Sequence, residues 1–218
     1  MIFYLFGLLG YYKLINKPVP MGICLAFFGM LAVPPVITIY IFIEKHWIFQ
    51  VMAFAGGWIC WTFIEYFVHR FWLHRKDNKN YYSSHHFNHH KHPGQIFTTA
   101  LKRFVIFITA CLLLTGSILY SSYLLLPAGI ATGYTLYGYM HVWLHESWSA
   151  RLFYRLQIFH IQHHCNQQGK CFGVTVTWWD RIFNTGLSNK KIIGEKAREV
   201  YFNDKVLPEN SLTLNHSL

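Results

Sequence analysis

The sequence predicts an all-α protein: an integral membrane helical bundle of about four transmembrane helices with a cytosolic helical cap. Three observations predict it. The 218 residues are 53% hydrophobic, 19% aromatic and only 13% charged, whereas an average soluble domain carries about 25% charge. The segments Met21–Ile43 and Phe104–Leu126 are each 23 residues long and apolar. At about 1.5 Å per residue, either can cross a hydrocarbon core of about 30 Å. The basic residues, finally, gather at one end of the expected spans. Arg70, Arg75, Lys76, Lys79, Lys91, Lys102 and Arg103 lie between the second and third, and nine more follow His145, from Arg151 to Lys205. The positive-inside rule then puts both basic regions in the cytosol.

The elements follow in order. Ile2–Tyr12 is too short to span and is expected at the interface or packed on the bundle. Met21–Ile43 carries Pro34-Pro35, which predicts a kink or break. Trp47–Val68 is a further span and Ala128–His145 a shorter one. With 218 residues the chain is expected to form a single domain with its core at about 57–185, and Ser188–Leu218 reads as a polar tail of weak periodicity with no assigned function. No basic region precedes the first apolar residues, so a cleavable signal peptide is not expected. The five cysteines include no C-x-x-C pair and read as reduced, small hydrophobes. The net charge of +10 is not arranged as an aromatic-interleaved nucleic-acid surface, so no nucleic-acid partner is expected.

Against this apolar background stand fourteen histidines, ten of them in four clusters: His69-x4-His74, His86-x2-His89-His90, His141-x3-His145 and His160-x2-His163-His164. Neutral imidazole is the commonest protein ligand for Fe, Zn, Cu and Ni. Residues four apart on an α-helix differ by about 40° around the axis, and three apart by about 60°. His141 with His145, and the members of each triplet, therefore share a helix face. Adjacent histidines subtend about 100°, enough to serve two different metal ions. His69 and His74 are five apart, about 140°, which predicts that the helix bends or ends there. A structural zinc site needs only four ligands. Ten approach the demand of two ions, and the topology places all of them on the cytosolic face. His46, His85, His92 and His216 read as ordinary boundary residues.

Only Glu65, Asp77, Glu146 and Asp180 of the nine acids lie near these clusters, so a carboxylate-bridged site is not indicated. Glu65, four residues before His69, is expected to orient a ligand by hydrogen bonding, and Asp180 to do the same, cap a helix or pair with Arg181. Trp72, Trp143 and Phe172 are candidate pocket walls, with core packing or interface anchoring the more ordinary role. His92-Pro93-Gly94 is similar to the haem-ligating motif of cytochrome b5, but Gln95 breaks it, and no electron-transfer module is visible.

Glu65-Tyr66-x-x-His69-Arg70-x-x-x-His74, the two HxxHH boxes, and Gly173 through Trp179-Asp180-Arg181-x-Phe183 resemble the fatty acid hydroxylase superfamily over about Gly57–Thr185. That group of histidine-box membrane enzymes includes fatty acid and sphingolipid 2-hydroxylases, sterol desaturases and carotenoid hydroxylases. The Glu-Tyr pair and His141-Val-Trp-Leu-His145 look closest to the 2-hydroxylase branch, with His85 available as an extra ligand. The resemblance implies an O2-dependent di-iron enzyme that hydroxylates a C–H bond of a membrane lipid, a fatty acyl or sphingolipid-like chain. Zinc would be tolerated in purified protein. Electrons would come from a separate donor of ferredoxin or cytochrome b5 type. The alternatives are a desaturase or ring hydroxylase of the same superfamily, and a non-enzymatic membrane metal-binding or transport protein.

Overall fold

The computed structural model describes residues 47–75, 80–96, 98–187 and 201–202. The expectations for Ile2–Tyr12, for the span Met21–Ile43 with its Pro34-Pro35 break, and for His46, Asp77 and His216 lie outside the described residues. Among the described residues the fold is all-helical, with no strand. The helices are α1 (Trp47–Phe67), α2 (Tyr81–Lys91), α3 (Ala100–Leu119), α4 (Leu125–Leu144), α5 (Ala150–Cys165) and α6 (Trp178–Ile182). A π-helical turn, Val68–Leu73, extends α1, and short 3-10 turns precede α4 and α5.

Among the described residues, two segments are long and apolar enough to cross a membrane: Trp47–Leu73, 27 residues with mean hydropathy 1.5, and Ala100–Leu119, 20 residues at 1.8. Only 17% and 11% of their most apolar windows are buried within the chain. A core helix of a soluble protein would be mostly buried, so these are surfaces made for an apolar surround. The second helix differs from the expected Phe104–Leu126. It starts at Ala100 and stops at Leu119, where the Gly116 carbonyl accepts from both Tyr120 N (2.9 Å) and Ser121 N (3.3 Å). Ser121 is extended, and the chain restarts as α4 at Leu125, with Pro127 in the first turn, where its missing N–H costs nothing.

The chain packs as two compact units, one of them Pro18–Thr62 with Ala100–Leu136. Its described core is Leu114, Leu125 and Ala128, against which Ala53, Phe54 and Leu113 pack. Two glycines set the approach of the backbones. A Cβ on Gly57 would lie 2.1 Å from the Leu126 carbonyl oxygen, and one on Gly129 would lie 2.1 Å from that of Phe54. Small residues at such a crossing let helices meet backbone to backbone. Trp61 stacks on Tyr134 at 4.4 Å one turn further along.

The other unit contains Phe63–Thr99 and Tyr137–Leu218, and therefore all ten clustered histidines. Asn80 caps α2 by accepting from Ser83 N at 2.7 Å, which fixes where the His86–His90 helix begins. Gln157, fully buried on α5, donates to the carbonyls of Leu144 (3.0 Å) and Glu146 (2.8 Å) and to Ser149 Oγ (2.8 Å). That amide ties the end of α4, which carries His141 and is followed directly by His145, to the helix carrying His160–His164. The described cysteines, Cys60, Cys111, Cys165 and Cys171, are all free thiols.

Candidate metal centre

The ten histidines fall into two groups of five. His69, His74, His86, His90 and His163 form one, and His89, His141, His145, His160 and His164 the other. Within each group, one ligand atom per residue lies within 4.8 Å of all the others. Each triplet divides as the helix angle requires. On α2, His86 and His90 face the first group while His89 faces the second; on α5, His163 faces the first while His160 and His164 face the second. The seam is tight, with the His90 and His164 rings stacked at 4.2 Å.

His69 and His74 meet by a device the spacing did not predict. The helix does end there, as the spacing predicts, but it does so through a π-turn, Val68–Leu73, capped by His74, in which His74 N donates to His69 O at 3.3 Å. That i→i+5 bond places residues five apart above one another, so both rings turn to one side. π-turns of this kind recur at functional sites.

Four properties show that the groups fit metal ions. Ring Nε2 atoms sit 3.0 Å apart in the pairs His69–His86, His86–His74, His74–His163 and His89–His141. Ligands about 2.1 Å from a common ion are about 3.0 Å apart at right angles and about 3.4 Å apart in a tetrahedron. The spacing matches the right-angled arrangement, which suits five ligands with one position left open. No carboxylate or thiol belongs to either group among the described residues. Burial holds the imidazoles in the neutral form that binds metal: it lowers His89 from 6.5 to about 4 and pushes His86, His90, His160, His163 and His164 well below 6.5. His164 is fully buried, and neither of its ring nitrogens has a hydrogen-bond partner within the protein.

Backbone carbonyls orient three of the rings. His69 Nδ1 donates to Phe172 O (2.5 Å), His163 Nδ1 to Lys170 O (2.6 Å) and His89 Nδ1 to Gln95 O (3.1 Å). A proton held on Nδ1 leaves the Nε2 lone pair facing the centre. The His92-Pro93-Gly94 segment is the turn that returns Gln95 to His89, closed by Gln95 N donating to His92 O at 2.9 Å.

Glu65 and Asp180 do not touch a histidine. Both bind the loop that presents those carbonyls. Glu65 accepts from Val174 N (2.7 Å), Thr175 N (2.9 Å) and Thr175 Oγ1 (2.5 Å); Asp180 accepts from Phe172 N (2.9 Å), Gly173 N (2.8 Å) and Thr185 Oγ1 (2.8 Å). Four consecutive backbone N–H groups are thus held by two buried carboxylates. Asp180 neither pairs with Arg181 nor caps a helix, because both of its oxygens are engaged by the loop. Gly173 is obligatory there, since a Cβ would lie 1.9 Å from Val176 O. The Tyr66 hydroxyl bonds Thr185 Oγ1 at 2.9 Å and accepts from Arg70 at 2.7 Å, bracing the clamp from α1.

His85 is exposed on the far side of α2, its ring 4.2 Å from that of Tyr81, and belongs to neither group. Trp72 is half exposed, and Trp143 packs in the core against Trp148 and Phe153. Phe172 alone of the three aromatics lines the centre, 5.4–5.7 Å from the rings of His69, His74 and His163.

The tail is not without a part. Tyr201 is 2% exposed, stacks on His145 at 4.7 Å and donates to Leu144 O at 3.3 Å. The pair Tyr201-Phe202, aromatic in a polar stretch, was the available signal. Tyr201→Ala is expected to speed metal loss from the second group about tenfold or more under chelator challenge, while Tyr201→Phe, which keeps the stack, stays close to the parent. Metal release followed by elemental analysis checks both.

Acid is expected to empty and destabilise this unit. His89, at about 6.5 when unfolded and about 4 when folded, binds more protons in the unfolded state within that window, and burial shifts His86, His90, His160, His163 and His164 in the same direction. Stability is therefore intact above about pH 6.5 and falls toward pH 4, by up to about 1.4 kcal/mol per pH unit for each such histidine. Denaturant titrations across this range measure the slope.

The described residues form a helical protein with two interleaved all-histidine groups that could each hold a metal ion, the arrangement of a histidine-box protein. A family model described as Fatty acid hydroxylase matches residues 54–185, and the chain belongs to that family. Its relatives include the fatty acid 2-hydroxylase of Mus musculus, 31% identical over 61% of this chain and 38% of that protein. The dihydroceramide fatty acyl 2-hydroxylase FAH2 of Arabidopsis thaliana is 32% identical over 60% of this chain and 59% of its own length. The ceramide very long chain fatty acid hydroxylase SCS7 of Saccharomyces cerevisiae is 31% identical over 64% and 39%. A solved chain described as full-length Scs7p, with only the hydroxylase domain visible, superposes with TM-score 0.49 at 27% identity, covering 72% of this chain and 65% of that one. The chain thus spans less than two thirds of the curated relatives it matches.

Proposed function

We propose that this chain is a membrane-bound, O2-dependent di-iron hydroxylase of a lipid C–H bond, acting on a fatty acyl or sphingolipid-like chain. The observation that carries the reading is the pair of five-histidine groups with right-angled Nε2 spacing, in a family whose relatives are named as 2-hydroxylases of fatty acids and ceramides. His69, His74, His86, His90 and His163 would hold one iron; His89, His141, His145, His160 and His164 would hold the other. Bound there, the iron pair would supply the activation of O2 and the oxidation of the C–H bond.

The chain's own residues do the rest. The carbonyls of Lys170, Phe172 and Gln95 hold protons on Nδ1 and aim the rings. Glu65 and Asp180 keep the carbonyl-bearing loop rigid. Complete burial of His160, His163 and His164 excludes water from the inner face. In this reading the chain is multi-pass, with the histidines on the cytosolic side, where a lipid chain can reach them from the bilayer. Electrons arrive from a separate ferredoxin- or cytochrome b5-type donor attracted to the basic cytosolic face.

The test is mass spectrometry of membrane lipids from cells with and without the chain, supplied with a matching electron donor. A lipid gaining one oxygen is the expected product. Loss of two hydrogens instead would make it a desaturase, and metal accumulation with no lipid product would make it a binding or transport protein.

A further inference from the structure

A cavity of about 600 Å³ opens between α5 and α6, lined by some of the residues of segments 154–159 and 177–187, among them Arg155, Leu156, Ile158, Asp180, Arg181 and Leu187. None of the ten histidines lines it. Two guanidinium groups do, Arg155 and Arg181, both on exposed residues, and among the described residues neither is paired with a carboxylate. The one acid in the lining, Asp180, is fully buried and gives both oxygens to the loop and to Thr185. The charge presented to the cavity is therefore positive.

The surroundings are apolar where a soluble surface would be polar. Leu156 and Leu187 line the cavity, Leu152 is 58% exposed on α5, and Ile182 is 64% exposed on α6. Arginine beside exposed aliphatic side chains is the pattern of a surface resting at lipid headgroup level. A guanidinium offers five donors in a planar fork that matches phosphate oxygens, and two forks on one cavity fit a single phosphate group better than a dispersed anionic surface.

We infer that this cavity binds the phosphate of an anionic phospholipid, with Arg155 and Arg181 on the phosphate and the acyl chains along Leu156, Ile158 and Leu187. It is a lipid site separate from the histidine groups, and it rests on the chain lying at a membrane rather than on the identity of any metal. Occupancy would brace α6, whose Asp180 holds the Phe172–Gly173 backbone.

The test is native mass spectrometry of the full chain in detergent, titrated with phosphatidylglycerol and, separately, with phosphatidylcholine. The parent is expected to retain one phosphatidylglycerol where phosphatidylcholine is lost. The double variant Arg155→Gln with Arg181→Gln is expected to bind it at least about tenfold more weakly, with unchanged metal content. Arg75→Gln with Lys102→Gln, which removes the same charge elsewhere, is expected to bind as the parent does. Equal binding by the parent and the Arg155/Arg181 variant overturns the proposal, as does equal weakening in the control variant. Displacement of the lipid by inorganic phosphate at similar concentration would assign the cavity to a free anion and overturn its lipid occupant. Metal content and lipid oxidation report separately on the proposed enzyme, so either proposal can fail alone.

Discussion

Removing two histidines from one group is expected to leave the other group loaded, whereas removing one from each leaves both weak. His74→Ala with His163→Ala takes two of the five ligands of the first group and touches none of the second. Under a fixed chelator challenge this variant should retain about one ion per chain where the parent retains about two. His163→Ala with His164→Ala takes adjacent residues, yet one comes from each group. It should retain close to none, because each centre loses a ligand and about ten- to hundredfold or more in affinity. Both variants should lose lipid oxidation. Elemental analysis after chelation distinguishes them, and equal retention by the two would sink the division into groups.

The second large effect belongs to a residue that would ligate nothing. Glu65→Ala leaves the buried Val174 N–H without an acceptor and also releases Thr175 N and Thr175 Oγ1. Leaving such groups unpaired costs about 1–3 kcal/mol each, so a loss of about 3–5 kcal/mol is expected in denaturant titrations. The loop then no longer holds Phe172 O against His69 Nδ1, and metal affinity in the first group should fall about ten- to hundredfold. Glu65→Gln separates the two effects. Its amide oxygen can still accept from Val174 and Thr175 N, while its NH2 meets the Thr175 hydroxyl, which can turn to accept. It should recover most of the stability and part of the affinity. A Glu65→Ala chain with parental stability and metal retention would show that the clamp is dispensable.

Much of the site was written in the spacing. The 3.6-residue period makes His86, His89 and His90 cluster, and makes adjacent histidines diverge toward two centres. Those angles are intrinsic to a helix, so they survive any tertiary arrangement. The end of the helix at His69–His74 is legible in the same way, but its π form is not: a five-residue spacing is poor on an α-helix and good on a π-turn, and no local residue type announces the change. The carbonyls of Lys170, Phe172 and Gln95 were invisible because every residue has one, and only the path of the chain decides which face a ring. Gln157 and Tyr201 were missed because they act across 8–57 residues of sequence. The α3 boundary was misread because Ser121 interrupts an apolar run whose composition continues into α4.

The division of adjacent histidines has a consequence for how the protein matures. Helices α2 and α5 each contribute to both groups, so ordering them around the first ion also sets His89, His160 and His164 in place for the second. Only His141, on α4, and His145, just past its end, remain to be brought in. In the parent chain, with both groups intact, entry of one ion would therefore help to order the seat of the other, and half-loaded chains should be scarcer than two unconnected sites would give.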